Sequence, residues 1–130
     1  MLGADACVAT LALIAFFATA SQASEPSAVA QRDAEADVQL IIRFEAAHAS
    51  LVEFTSIMNG VEKGMQGEPG FRSALVFQNV DDTCVFTLVE HWQSRKSHED
   101  HFDRIVASGA WAHILSLLRK EPDLGYFSKL

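Results

Sequence analysis

From residue 38 the chain alternates apolar and polar positions. Val38, Leu40, Ile42 and Phe44 fall on one face and Gln39, Ile41, Arg43 and Glu45 on the other, which predicts a first strand with one strongly apolar side. Past Ser50 the period lengthens. Leu51, Phe54, Ile57 or Met58, Val61 and Met65 recur every three or four residues, the stripe of an amphipathic helix. Gly60, Gly64 and Gly67 weaken its second half, and Glu68-Pro69-Gly70 ends it. Phe71 to Gln78 alternates again, opposing Phe71, Ser73, Leu75 and Phe77 to Arg72, Ala74, Val76 and Gln78. Asn79 to Asp82 has the composition of a hairpin turn, so Thr83 to Trp92 is expected to pair antiparallel with the preceding strand. Val85, Thr87, Val89 and His91 oppose Phe86, Leu88, Glu90 and Trp92 there. With both sides largely apolar, this strand belongs at the centre of a sheet or under a partner.

Ser94 or Ser97 can cap a following helix. That helix turns His98, His101, Phe102, Ile105 and Val106 to one side and Glu99, Asp100, Asp103 and Arg104 to water. Ser108-Gly109 breaks it. Trp111, Ile114, Leu115 and Leu118 make a further stripe up to Glu121-Pro122-Asp123, and Leu124 to Leu130 suits a last strand. The order β-α-β-β-α-β is that of an α+β, ferredoxin-like fold, a four-stranded antiparallel sheet with helices on one face. The other sheet face is then bare and apolar, and a second copy of the chain is the simplest cover.

The 130 residues carry a formal charge of -7, and the ten Lys and Arg are scattered. Without a basic stripe, nucleic acid and anionic lipid are poor partners, so a weakly polar small molecule or a homodimer fits better. No linker divides the chain, and one domain over 38–130 is expected. Of the two cysteines, Cys7 lies in an early apolar run and Cys84 in a strand pattern with no neighbouring His or Lys. The latter reads as an inert sheet residue.

Ala6 to Ala18 is apolar, too short for a comfortable span, and is followed by Ser21-Gln22-Ala23. Residues 1–23 therefore read as a signal peptide cleaved after Ala23, which implies a periplasmic or secreted protein without stable membrane association after processing. Asp5 and the absence of Lys or Arg before Cys7 leave open an uncleaved anchor or a mis-assigned start, the latter implying a cytoplasmic protein. Residues 24–37 are small and polar, a flexible leader.

The densest chemistry lies in Thr83 to His101, which gathers Glu90, His91, Trp92, His98 and His101. His98 and His101, three apart, share a helical face with Phe102, and either imidazole can accept a proton near neutral pH. A structural place at the helix–sheet junction competes for both. Trp92 fits a core or interface aromatic as well as a pocket wall. Glu90, if buried, needs a partner, either Arg43 or Arg72 in an ion pair or a pocket histidine. Trp111 and His113, two apart on a helix, do not share a face, and Trp111 suits a pocket wall.

Between Val38 and Leu130 the segments LIIRFEA, EPGFRSALVFQN, FTLVEHWQSRKSHEDH, SGAWAHILSLL and GYF resemble the antibiotic biosynthesis monooxygenase (ABM) domains of the dimeric α/β-barrel superfamily. The resemblance implies a homodimer with sheets packed face to face and a pocket between sheet and helices in each subunit. It further implies a monooxygenase acting on a quinol or phenolic, polyketide-like aromatic with O2, without metal or flavin. His101 then matches the family's His after the Glu-x-Trp-x-Ser segment and is the favoured catalytic residue with His98, while Trp92, Trp111, Phe102 and Glu90 are the candidate substrate contacts. A non-catalytic binding or stress-associated protein on the same fold is the alternative. A haem-degrading branch uses a helical His that His113 approximates, but the first strand lacks the Asn expected there.

Overall fold

The computed structural model describes residues 36–130; the expected signal peptide and nearly all of the leader lie outside the described residues. Strand β1 (Val38–Glu45) leads through a short 3-10 turn to helix α1 (Leu51–Met65), then strands β2 (Phe71–Gln78) and β3 (Val85–Trp92). Helices α2 (Arg95–Ala107) and α3 (Ala110–Ser116) and strand β4 (Asp123–Phe127) follow. The sheet order is β2-β3-β1-β4, antiparallel throughout. This is the expected ferredoxin-like arrangement, with β3 central.

Alternation in β1 buries Leu40, Ile42 and Phe44 beneath the helices. Phe54 of α1 meets Phe44 and Phe86 edge to face, with ring centroids 5.4 and 5.1 Å apart. Phe54 is fully buried, and such burial contributes about 2–3 kcal/mol. Trp92 and Leu40 are equally sealed from solvent.

The alternation read for β2 slips at its start. Phe71 pairs with Trp92 but Ser73 with His91, so Arg72 is an extra residue in a bulge. Phe71 thereby joins Ala74 and Val76 on the helix-covered face, its ring 5.5 Å from that of Trp92. Leu75 and Phe77 remain on the opposite, open face, both more than half exposed. The last helix also ends earlier than its apolar stripe suggests. After Ser116 the chain runs beside the end of β1, where Ala47 N–H donates to Leu117 O at 2.8 Å and Arg119 N–H to Glu45 O at 2.9 Å. Leu118 is therefore a bridge residue opposite Ala46, not a helical one.

Two local devices set α2 over the sheet. Ser94 caps it, its hydroxyl accepting from Ser97 N–H at 3.1 Å. Gly70, left-handed with φ 81, lies so close that a Cβ there would stand 2.4 Å from the Ser97 hydroxyl oxygen. Only glycine meets both demands.

Candidate active site

Between the sheet and helices α1 and α2 lies a cavity of about 510 Å³, within the range typical of small-molecule pockets. Its walls are mainly apolar: Ile42, Phe44 and Leu88 from the sheet, Met58 and Met65 from α1, and Ile105 from α2 all face it. Gly60 and Gly64 form part of its α1 side, and nothing stands within 4 Å of where their Cβ atoms would be. Missing side chains on that helix leave the cavity wider and open to solvent.

Five of the six candidate residues line this space: His98, His101, Phe102, Glu90 and Trp111. Trp92 stands behind the wall, fully buried, with its ring 5.5 Å from His98 and 5.1 Å from His101. Its indole Nε1–H donates to Glu90 Oε2 at 2.7 Å. Phe102 stacks on His98 at 6.0 Å and meets Trp111 edge to face at 5.1 Å. The helical spacing of three and four thus becomes a continuous aromatic wall.

Glu90 makes no ion pair with Arg43 or Arg72. Strand register explains this, since Glu90 pairs with Leu40 on the covered face whereas Arg43 pairs with Thr87 on the open one and reaches Glu45. Burial pushes the Glu90 carboxyl above its usual range, and the Trp92 hydrogen bond partly offsets this. The nearest imidazole nitrogen is His98 Nε2, 3.9 Å from Oε2.

The two histidines differ in their surroundings. His98 Nδ1 lies 2.6 Å from the Tyr126 hydroxyl of β4. Burial, helped by the adjacent His101, depresses the His98 pKa to about 4, so this ring is neutral at physiological pH. His101 Nδ1 is buried without a hydrogen-bond partner among the described residues. It is 3.4 Å from Glu68 Oε2 but poorly aligned with it, so the contact is electrostatic rather than a hydrogen bond. Glu68 is itself clasped by Arg104, which holds its carboxyl below the usual range.

Tyr126 and Glu68 escape a reading of the sequence. The final strand's alternation puts Tyr126 on the covered face, but only the pairing of Tyr126 with Leu40 reveals its reach to α2. Glu68 looks like a turn residue and serves as one. His113 faces away from the cavity, its Nε2 2.7 Å from Glu53 Oε1 in an exposed pair. It is not part of the cavity wall, as its helical position implies. Among the described residues, no three His, Cys, Asp or Glu side chains cluster as metal ligands.

Solved structures share this fold. Rv0793 from Mycobacterium tuberculosis aligns with a TM-score of 0.65 at 19% identity over 73% of this chain and 96% of its own. A monooxygenase from the gene ActVA-Orf6 of Streptomyces coelicolor, in complex with nanaomycin D, aligns with a TM-score of 0.60 at 19% identity over 74% and 89%. SnoaB, a cofactor-independent oxygenase from Streptomyces nogalater, aligns with a TM-score of 0.54 at 20% identity over 72% and 92%. No curated protein matches the chain. At these identities the likeness speaks for the fold. The family described as antibiotic biosynthesis monooxygenase matches residues 38–108, the stretch that carries both histidines and Glu90, and the chain belongs to that family.

Proposed function

We propose that this protein is a cofactor-independent monooxygenase that oxidises a quinol or phenolic, polyketide-like aromatic with O2. The observation that carries the reading is one mainly apolar cavity of about 510 Å³ on which His98, His101 and Glu90 converge. Such a space holds an aromatic ring against apolar walls and keeps much of it out of bulk water, while its open α1 side admits substrate and O2. His101 is the base. With Nδ1 turned toward Glu68, its other nitrogen is left to accept the phenolic proton. The phenolate transfers an electron to O2, recombination of the radical pair forms a bond between oxygen and the ring carbon, and the proton held by His101 returns to the outer peroxide oxygen to give a hydroperoxide. Loss of water from that hydroperoxide leaves a carbonyl. One oxygen atom thus enters the product, the other leaves as water, and all four electrons come from the substrate.

Homodimerisation accompanies this reading. Ile41, Leu75, Phe77, Val89 and Phe127 share the open sheet face, and Leu75, Phe77 and Phe127 are 58, 54 and 51% exposed. A patch of this kind favours a self-complementary contact with a second copy.

The test is O2 uptake by the purified protein with hydroquinones and hydroxylated polycyclic aromatics, using labelled O2. Incorporation of one labelled atom, together with a loss of about 100-fold or more in His101→Ala with the fold retained, is the expected result. Tight binding of the same aromatics without O2 uptake would instead identify a non-catalytic binding protein.

A further inference from the structure

We infer that Tyr126 is a positioning residue: its hydroxyl donates to Nδ1 of His98, so that His98 turns an Nε2–H toward Glu90 and the cavity and acts there as a hydrogen-bond donor, not as a base. The role in turnover rests on the proposed oxidation; the tautomer does not.

What each end of the imidazole meets sets its tautomer. A neutral imidazole has one N–H and one lone pair. At 2.6 Å, the contact between Tyr126 Oη and Nδ1 is short and can run in either direction. At the other end, Nε2 faces Glu90 Oε2 at 3.9 Å, beyond hydrogen-bond range but within electrostatic reach. A lone pair aimed at that oxygen is repelled, whereas an N–H is attracted. The Glu90 oxygen also has its own donor in Trp92, so it behaves as an acceptor. Burial pushes the Tyr126 hydroxyl above its usual pKa, partly offset by the Arg95 guanidinium 4.5 Å from the ring centre, so the phenol keeps its proton and has it to donate. Every group is therefore matched when Tyr126 donates to Nδ1. Reversing the bond leaves a lone pair facing an acceptor.

Chain topology makes the arrangement possible. Tyr126 sits opposite Leu40 in the β1–β4 ladder and hence under the helices, while capping by Ser94 starts α2 one turn before His98. The His98 and Tyr126 rings meet edge to face, 5.4 Å apart. His98 and His101, with rings 6.3 Å apart, then divide the labour. His101 takes the substrate proton, and His98 offers a hydrogen bond to the oxygen on which negative charge develops.

The tautomer is read by nitrogen NMR of protein carrying 15N-labelled histidine. Wild-type His98 is expected to show an unprotonated, hydrogen-bonded Nδ1 and a protonated Nε2 at neutral pH, and Tyr126→Phe to lose that preference while keeping the ring packing. A protonated Nδ1 in the wild type, or an unchanged tautomer in Tyr126→Phe, overturns the inference. With an oxidisable aromatic, Tyr126→Phe lowers kcat about tenfold, the worth of one hydrogen bond, and leaves KM nearly unchanged. In a His98→Gln background, whose amide donates without help, the same change has little effect; an equal loss in both backgrounds also overturns the inference. Absence of wild-type turnover defeats the oxidation alone, because the tautomer is measured without substrate.

Discussion

Replacing Gly60 and Gly64 by alanine should make the protein more stable and a poorer host for large aromatics. Both lie within α1, and both face the cavity with nothing within 4 Å of where an added methyl group would stand. Neither has the positive φ that would demand glycine, unlike Gly67, Gly70 and Gly109. Glycine in a helix interior is about 0.8–1.0 kcal/mol less favourable than alanine. Gly60 is well inside the helix and is expected to yield nearly the full gain, whereas Gly64 is next to its last residue and yields about half. The double variant should gain about 1–1.5 kcal/mol, which for a domain of this size raises Tm by roughly 5–10 °C.

The same methyl groups project into the cavity. Each extra methyl in a filled pocket costs a bound ligand about 1–3 kcal/mol. Affinity for a polycyclic aromatic should therefore fall by about tenfold or more, while a single-ring phenol, which leaves the α1 side empty, should be little affected. Thermal unfolding and ligand titration are run on the same samples. A fall in Tm would show that a hidden steric demand, not the cavity, explains the glycines. An equal effect on large and small ligands would show that the α1 side does not select for size.

Trp92→Phe removes the indole donor to Glu90 and leaves a buried carboxyl without its hydrogen bond; a loss of about 1–3 kcal/mol is expected in denaturant unfolding, against near neutrality if the bond is inconsequential. Phe77→Asp places a charge on the open sheet face and should convert a dimer to a folded monomer in sedimentation; an unchanged sedimentation coefficient would refute the proposed interface. His98 titrates at about 4 when folded and near 6.5 when unfolded. Between these values the unfolded chain binds the extra proton, so the contribution is complete above about pH 6.5 and is lost as pH falls toward 4. Allowing for water in the cavity, it amounts to about 2 kcal/mol. Glu90, raised by burial, pulls the opposite way, so the measurement is the difference in acid-limb slope between wild type and His98→Gln; identical slopes would refute a buried, neutral His98.

The fold was largely legible because its decisive signals are local. Period-two runs in β1 and β3, the Glu68-Pro69-Gly70 stop and the Ser94 cap each act within a few residues. Local signals misplaced two features for the same reason. The bulge at Arg72 and the early end of α3 are both set by strand partners distant in sequence, Trp92 and His91 in one case and Glu45 and Ala47 in the other. The site divides along the same line. His98, His101 and Phe102 share a helical face whatever the tertiary fold, so spacing alone groups them. Tyr126 and His98 are 28 residues apart, and their meeting depends on β4 pairing with β1 in one register and α2 crossing above it. A slip of one residue in β4 would turn Tyr126 to the open face and leave Nδ1 of His98 without its phenol. The chemical distinction between two histidines on one helix is therefore a property of sheet register, written in the last strand rather than in the helix that bears them.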